Sequence, residues 1–158
     1  MDKPVNEHAG WRIEVTADQR ARALEKVALH GPYDRKQDEE ESLCEAICEV
    51  VVADILEIPA IMLGGHVVLR TRLIPAANSD LILLQGDKER ADMPFVLAHA
   101  LKPEGSACFV KGWMYGREGL KRKYWRDLDE YKPHGACFIP PEELRDVADL
   151  VLELRRKQ

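Results

Sequence analysis

The segment from Lys111 to Arg126 carries the densest chemistry in the chain: Lys111, Arg117, Lys121, Arg122, Lys123 and Arg126 interleave with Trp113, Tyr115, Tyr124 and Trp125. Ammonium and guanidinium groups neutralise phosphates while rings stack on bases, so the pattern fits nucleic acid. Tryptophan, tyrosine and arginine are also the favoured anchors of protein interfaces, so it fits a protein partner too. The plainest reading is structural, with Trp113 and Trp125 closing the core and the cations solvated around them. The residues alone leave all three open.

Cys44 and Cys48 are spaced i, i+4, which puts two thiols on one helix face. A structural zinc needs four ligands, and the chain has no C-x-x-C pair. His30, His66, Cys108 or Cys137 would have to converge from afar, so the expectation is small buried thiols and no metal. Cys108 and Cys137 fall on predicted strands, which leaves an ordinary contact between them open. The five histidines, at 8, 30, 66, 99 and 134, show no ligand spacing. His99, inside the apolar run FVLAHAL, reads as a hydrogen-bonded core residue. No serine or cysteine nucleophile phrase and no phosphate-binding glycine loop is present. The acidic run Asp38–Glu41 reads as the front of a helix, where carboxylates meet the positive end of the dipole.

These groups sit in a chain of 158 residues, enough for one domain with a single core. Hydrophobic residues make up 46% and charged residues 32%, within the ordinary globular range. The net charge of -5 argues against wrapping a long stretch of nucleic acid, though not against a local basic groove. No apolar run reaches the length that spans a bilayer, and the N-terminal phrase MDKPVNEHAGW lacks a signal peptide's apolar core. The expected address is therefore cytoplasmic, with no membrane contact and with reduced thiols. Residues 1–10 read as a flexible tail and 11–158 as one domain.

The pattern then predicts the elements. Trp11–Val15 alternates like a short strand. Thr16 and Gln19 form a capping box that opens a helix, with Ala21, Leu24, Val27 and Ala28 as its apolar stripe and Gly31-Pro32 as its stop. Residues 33–40 read as a polar connector. A second helix is predicted over 38–56, buried through Leu43, Ile47, Val50, Val51, Ile55 and Leu56 and stopped at Ile58-Pro59. Strands follow over 67–72, 80–84, 95–101 and 107–113. The turns between them lie at 75–78, 86–90 and 103–105, and their shortness predicts a mostly antiparallel sheet. The 80–84 run reads as a strand buried on both faces. Residues 117–131 are charged and aromatic, with a short helical turn. Cys137–Ile139 reads as a brief edge strand. Pro140-Pro141-Glu142 reads as the start of the last helix, buried through Leu144, Val147, Ala148, Val151 and Leu152.

Several phrases, SLCEAICEVVVADILEIP, HVVLRTR, SDLILLQGDKERADMPFVLAHAL, VKGWMYGREGLKRKYW and ACFIPPEELRDVADL, resemble phage and prophage proteins of the PD-(D/E)XK nuclease-like superfamily over about residues 16–152. The resemblance implies an α/β fold of the α+β type: a small mixed or antiparallel sheet flanked by helices, with a restriction-endonuclease-like core. It also implies a site in which carboxylates hold Mg²⁺ at a scissile phosphate. Arg70 matches the basic member of the motif and Glu49 the helix carboxylate. The motif glutamate position is Val68, the aspartate should fall near Leu63, and nothing acidic lies between Glu57 and Asp80. Two hard-oxygen ligands are therefore missing. Asp80 and Glu45, one turn before Glu49 on the same helix face, are the residues that could replace them.

The reading that follows is a non-catalytic phage or prophage accessory protein that binds a protein partner, such as an inhibitor of a host defence complex (anti-CRISPR or anti-restriction). The alternatives are a Mg²⁺-dependent nuclease built on Glu45, Glu49 and Asp80, and a nucleic-acid-binding protein using the Lys111–Arg126 region. No cofactor is expected; Mg²⁺ enters only with the nuclease reading. The oligomeric state and the host stay open.

Overall fold

The computed structural model describes residues 10–30, 39–71, 80–100, 106–127 and 135–157. The expected tail over 1–9, the Gly31-Pro32 stop, the connector up to residue 38 and the turns at 75–78 and 103–105 lie outside them. Strand β1 (Trp11–Glu14) leads into helix α1 (Ala17–His30). The capping box is formed in full. The Thr16 N–H donates to Gln19 Oε1 at 3.0 Å and the Gln19 N–H to Thr16 Oγ1 at 3.1 Å.

The predicted stripe of α1 needs correction. Ala21, Leu24 and Ala28 are exposed, and the helix buries Gln19 and Ala23 instead. Polar bonds to helix α2 (Glu39–Leu56) decide the rotation. Gln19 Nε2 donates to Asp54 Oδ2 at 3.0 Å, Arg22 forks onto the same carboxylate at 3.0 and 2.6 Å, and Lys26 pairs with Glu49. The Arg22 bond, more than any other contact, holds the Asp54 carboxyl below its usual range. α2 itself is buried on nearly every side, as its β-branched composition predicts. It stops at Glu57, which takes a left-handed φ of 58°. The Ile58 N–H returns to Ala53 O at 3.0 Å and the Glu57 N–H to Asp54 O at 3.2 Å, a Schellman closure made without glycine.

Strands β2 (Val68–Thr71), β4 (Pro94–Ala100), β5 (Ala107–Tyr115) and β1 form one sheet in the order β1-β5-β4-β2. Strands β3 (Leu81–Leu83), β6 (Trp125–Asp127) and β7 (Gly135–Ile139) form a second, in the order β3-β7-β6. The fold is mixed α/β, as expected, but the single mixed or antiparallel sheet becomes two, the first mixed and the second antiparallel. Because β3 leaves for the second sheet, the chain returns to the first with β4 parallel to β2. All the other pairings are antiparallel. Cys137–Ile139 is not an edge: β7 is the central strand of its sheet. Of the 80–84 run, Leu81 and Leu83 are buried but Ile82 is only half-buried, since it lies with Phe138 on the face of the second sheet away from the core. The 86–90 turn is part of a 3₁₀ turn, Gln85–Arg90.

The helices cover one face of the first sheet, where Val96, Ala98, Val110 and Trp113 join the core of α2. The second sheet covers the other face through Phe95, Leu97, Met114, Leu83 and Ile139. A bulge in β5 keeps both faces apolar. Leu97 pairs with Gly112 but Ala98 pairs with Val110, so Lys111 is the extra residue. Without it, Trp113 and Tyr115 would lie on the opposite face from Cys108 and Val110. Gly112 takes φ 146°, and a Cβ there would meet Arg145 O at 2.5 Å. That close approach is the bridge between Trp113 and Arg145, whose two N–H···O bonds measure 3.0 and 2.9 Å.

After a four-residue helix α3 (Gly116–Gly119) and strands β6 and β7, the last helix starts later than the proline pair predicts. Pro141–Glu143 is a 3₁₀ turn, and helix α4 spans Val147–Arg156 with Asp146 as its N-cap. Asp146 Oδ1 accepts from the Ala148 N–H at 2.7 Å. Val147 and Leu150 are buried, whereas Leu152, expected inside, is 59% exposed. Among the described residues, no helix is long and apolar enough to cross a membrane.

Candidate functional site

The residues matched to the nuclease motif are placed by the alternation of β2. Val67, Leu69 and Thr71 face α2 and, with Lys26, Glu45 and Glu49, line a cavity of about 260 Å³. Glu45 and Glu49 do share one helix face, and Lys26 holds Glu49. Arg70 points to the other side of the sheet. There it donates to Asp87 Oδ1 at 2.5 Å and lies over the Phe95 ring at 5.5 Å. Asp80 precedes β3 in the second sheet, and Arg126 pairs with it at 3.9 Å. Glu49, Arg70 and Asp80 therefore stand in three different surroundings. Among the described residues, no group of three or more histidine, cysteine or acidic side chains could hold a metal ion.

All four cysteines are reduced and buried. Cys108 and Cys137 do not meet, because they belong to the cores on opposite faces of the first sheet. Cys108 instead lies 3.8 Å from Cys48, sulfur to sulfur, and this contact with burial pushes the Cys48 thiol well up. Cys137 Sγ donates to Lys121 O at 3.6 Å. His99 is buried, as expected, but its Nδ1 has no hydrogen-bond partner among the described residues. Its ring stacks at 5.4 Å on Phe109, which also receives the Lys111 ammonium at 5.3 Å. His8 and His134 and the His30 side chain lie outside the described residues.

The Lys111–Arg126 segment does not form one patch. Lys111, Trp113, Tyr115 and Tyr124 are buried, Trp125 is half-buried, and Arg117, Lys121, Arg122 and Arg126 are exposed. The structure divides them between two places. Trp113 and Tyr115 sit under α4, where they floor an open groove of about 750 Å³ bounded by Arg145, Asp149, Leu152 and Glu153. Lys121, Arg122 and Trp125 line a smaller cleft beside the second sheet.

The groove is tightly held. Trp113 Nε1 donates to Asp146 O at 3.1 Å, and the Tyr115 hydroxyl donates to Glu153 Oε1 at 3.0 Å. The two rings meet edge to face at 5.1 Å. Arg145 lies 5.1 Å above Trp113, Arg117 4.2 Å from the centre of Tyr115, and Lys157 5.0 Å from it. Arg145 also forks onto Glu118 with two bonds of 2.5 Å, which holds that carboxyl below its usual range. Arg155 pairs with Glu57 and Arg156 with Glu153, so the rim is charge-compensated. Sequence reasoning missed Arg145, Leu152 and Glu153 as parts of this groove. The signal that could have found them is Asp146 as an N-cap, which sets the rotation of α4 and turns Leu152 outward.

No family model, no curated protein and no solved structure matches the chain.

Proposed function

We propose that the protein is a non-catalytic binding protein that takes a protein partner in the groove between α4 and the Trp113–Tyr115 end of β5. The observation that carries this reading is the floor of the groove: two hydrogen-bonded aromatic rings beside a leucine that is 59% exposed. Because both rings are already buried, they give the groove a rigid floor, and the exposed Leu152 and Arg145 beside them are the groups a partner would cover. Since each rim arginine already meets a carboxylate, the fitting partner is a protein segment that inserts an apolar side chain and needs little net charge. The residues matched to a nuclease motif support binding over cutting, since Glu49 and Arg70 are engaged on opposite faces of β2. The resemblance to phage and prophage proteins makes a host defence complex the candidate partner.

Selection of displayed peptides on the full chain tests the proposal. Peptides with a shared apolar anchor should bind the protein and lose about tenfold or more in affinity to Leu152→Glu, which places a charge on the groove wall. Selected peptides that bind Leu152→Glu and Arg145→Ala as tightly as the parent chain would place the interface elsewhere.

A further inference from the structure

The smaller cleft has a different chemistry from the groove. It encloses about 180 Å³ where the Gln85–Arg90 turn, the Leu120–Arg122 segment and strands β6 and β7 meet. Lys88, Lys121 and Arg122 line it together with Leu120, Trp125 and Cys137. All three cations are exposed. Lys88 comes from a turn that the sequence presents as merely polar, and folding brings it to the other two.

What distinguishes these three cations is that no described residue neutralises them. Nearby Arg90 pairs with Asp87, Arg117 with Asp92, Lys123 with Glu143 and Arg126 with Asp80. The other described lysines and arginines likewise have partners. Among the described residues, the side chains of Lys88, Lys121 and Arg122 have none. Scattered over the surface they would be ordinary solvated groups. Gathered around one concavity, in a chain of net charge -5, they make a local positive potential against the sign of the whole molecule. Beside them Trp125 offers a ring whose Nε1–H is fixed by Asp127 Oδ1 at 2.6 Å, and Leu120 adds an apolar wall.

We propose that this cleft binds a nucleotide, with the phosphate among Lys88, Lys121 and Arg122 and the base against the Trp125 indole. Cations that pair with no described carboxylate have no such ion pair to break before they meet a phosphate, and a half-buried indole stacks on any base. The same chemistry is presented by a free nucleoside monophosphate and by one unit of a single strand. The acidic remainder of the surface disfavours a long tract, so the footprint is short.

The test measures binding of adenosine monophosphate and of a short single-stranded oligothymidylate to the full chain at low salt, followed by tryptophan fluorescence and by calorimetry. At least one probe should bind. Lys121→Ala/Arg122→Ala, and separately Lys88→Ala, should weaken it, the double variant by about tenfold or more. Both change exposed side chains, and circular dichroism verifies the fold. A strand ligand is identified by tighter oligothymidylate binding whose salt slope falls by about 0.7 for each phosphate contact removed. Comparable affinity for the mononucleotide identifies a free nucleotide. Failure of both probes to bind, or unchanged binding in both variants, overturns the proposal. Either result is independent of the α4 groove.

Discussion

Asp87→Ala is expected to lower the unfolding free energy by about 3 kcal/mol, a large share of what a domain of this size has to spare. The carboxylate is 3% exposed at the residue level and accepts from three donors. Arg70 reaches it at 2.5 Å, Arg90 at 2.9 Å, and the Leu84 N–H at 2.8 Å. Removing the acid leaves the Arg70 guanidinium, only 29% exposed, facing Phe95 without its counter-charge. It also leaves unpaired the N–H of Leu84, the residue that caps the Gln85–Arg90 turn. That turn carries the chain from the second sheet back to β4, so the loss reaches both layers. Asp87→Asn keeps an acceptor for Leu84 and should cost about half as much. Denaturant unfolding of the three proteins measures this, and a loss below about 1 kcal/mol for the alanine variant would show that Arg70 and Arg90 find water at no cost.

The second large effect concerns His99 and acid. Burial, helped by the nearby Lys111 ammonium, lowers the His99 pKa from 6.5 to about 4. Above pH 6.5 the imidazole is neutral whether the chain is folded or not, and it contributes nothing to pH dependence. Between pH 6.5 and about 4 the unfolded chain takes up a proton that the folded chain refuses, so stability falls with pH. The slope is about 1.4 kcal/mol per pH unit, and the full loss is about 3 kcal/mol. His99→Leu should remove this component. It also removes the unpartnered Nδ1 from the core, so the variant should equal or exceed the parent chain in stability at pH 4.5. Unfolding curves of both proteins across this pH range check it. Carboxylates such as Asp54 and Glu118 lose their own contribution at lower pH in both proteins and cancel in the difference. Parallel profiles would mean that His99 is protonated in the native state.

Much of the fold is legible in the residues, and the exceptions share a cause. The Thr16–Gln19 capping box depends on neighbours close in sequence, and the burial of α2 is announced by its own β-branched composition; both stand as read. The two sheets do not, because whether β3 pairs with β2 or with β7 is decided by partners more than fifty residues away. The rotation of α1 was hidden for a similar reason. Its apolar residues suggested one face, but Gln19, Arg22 and Lys26 bind Asp54 and Glu49 and turn Leu24 to solvent.

The site shows the same division. Trp113, Tyr115, Lys121, Arg122 and Trp125 stood out by type, yet the bulge at Lys111–Gly112 that splits them between two surfaces has no mark in the sequence beyond a glycine. Lys88 and Arg145 come to those surfaces only through folding. Arg70 could be placed on its strand, but not on the face that binds Asp87 rather than the one that meets Glu49.

Binding rather than cutting is tested most directly by incubating the protein with single-stranded DNA, double-stranded DNA and RNA in the presence of Mg²⁺ or Mn²⁺. The account predicts that all three substrates stay intact at high protein concentration. Cleavage that needs the metal and disappears in Glu49→Ala would contradict it, by showing that Glu45 and Glu49 do form a working centre beside β2.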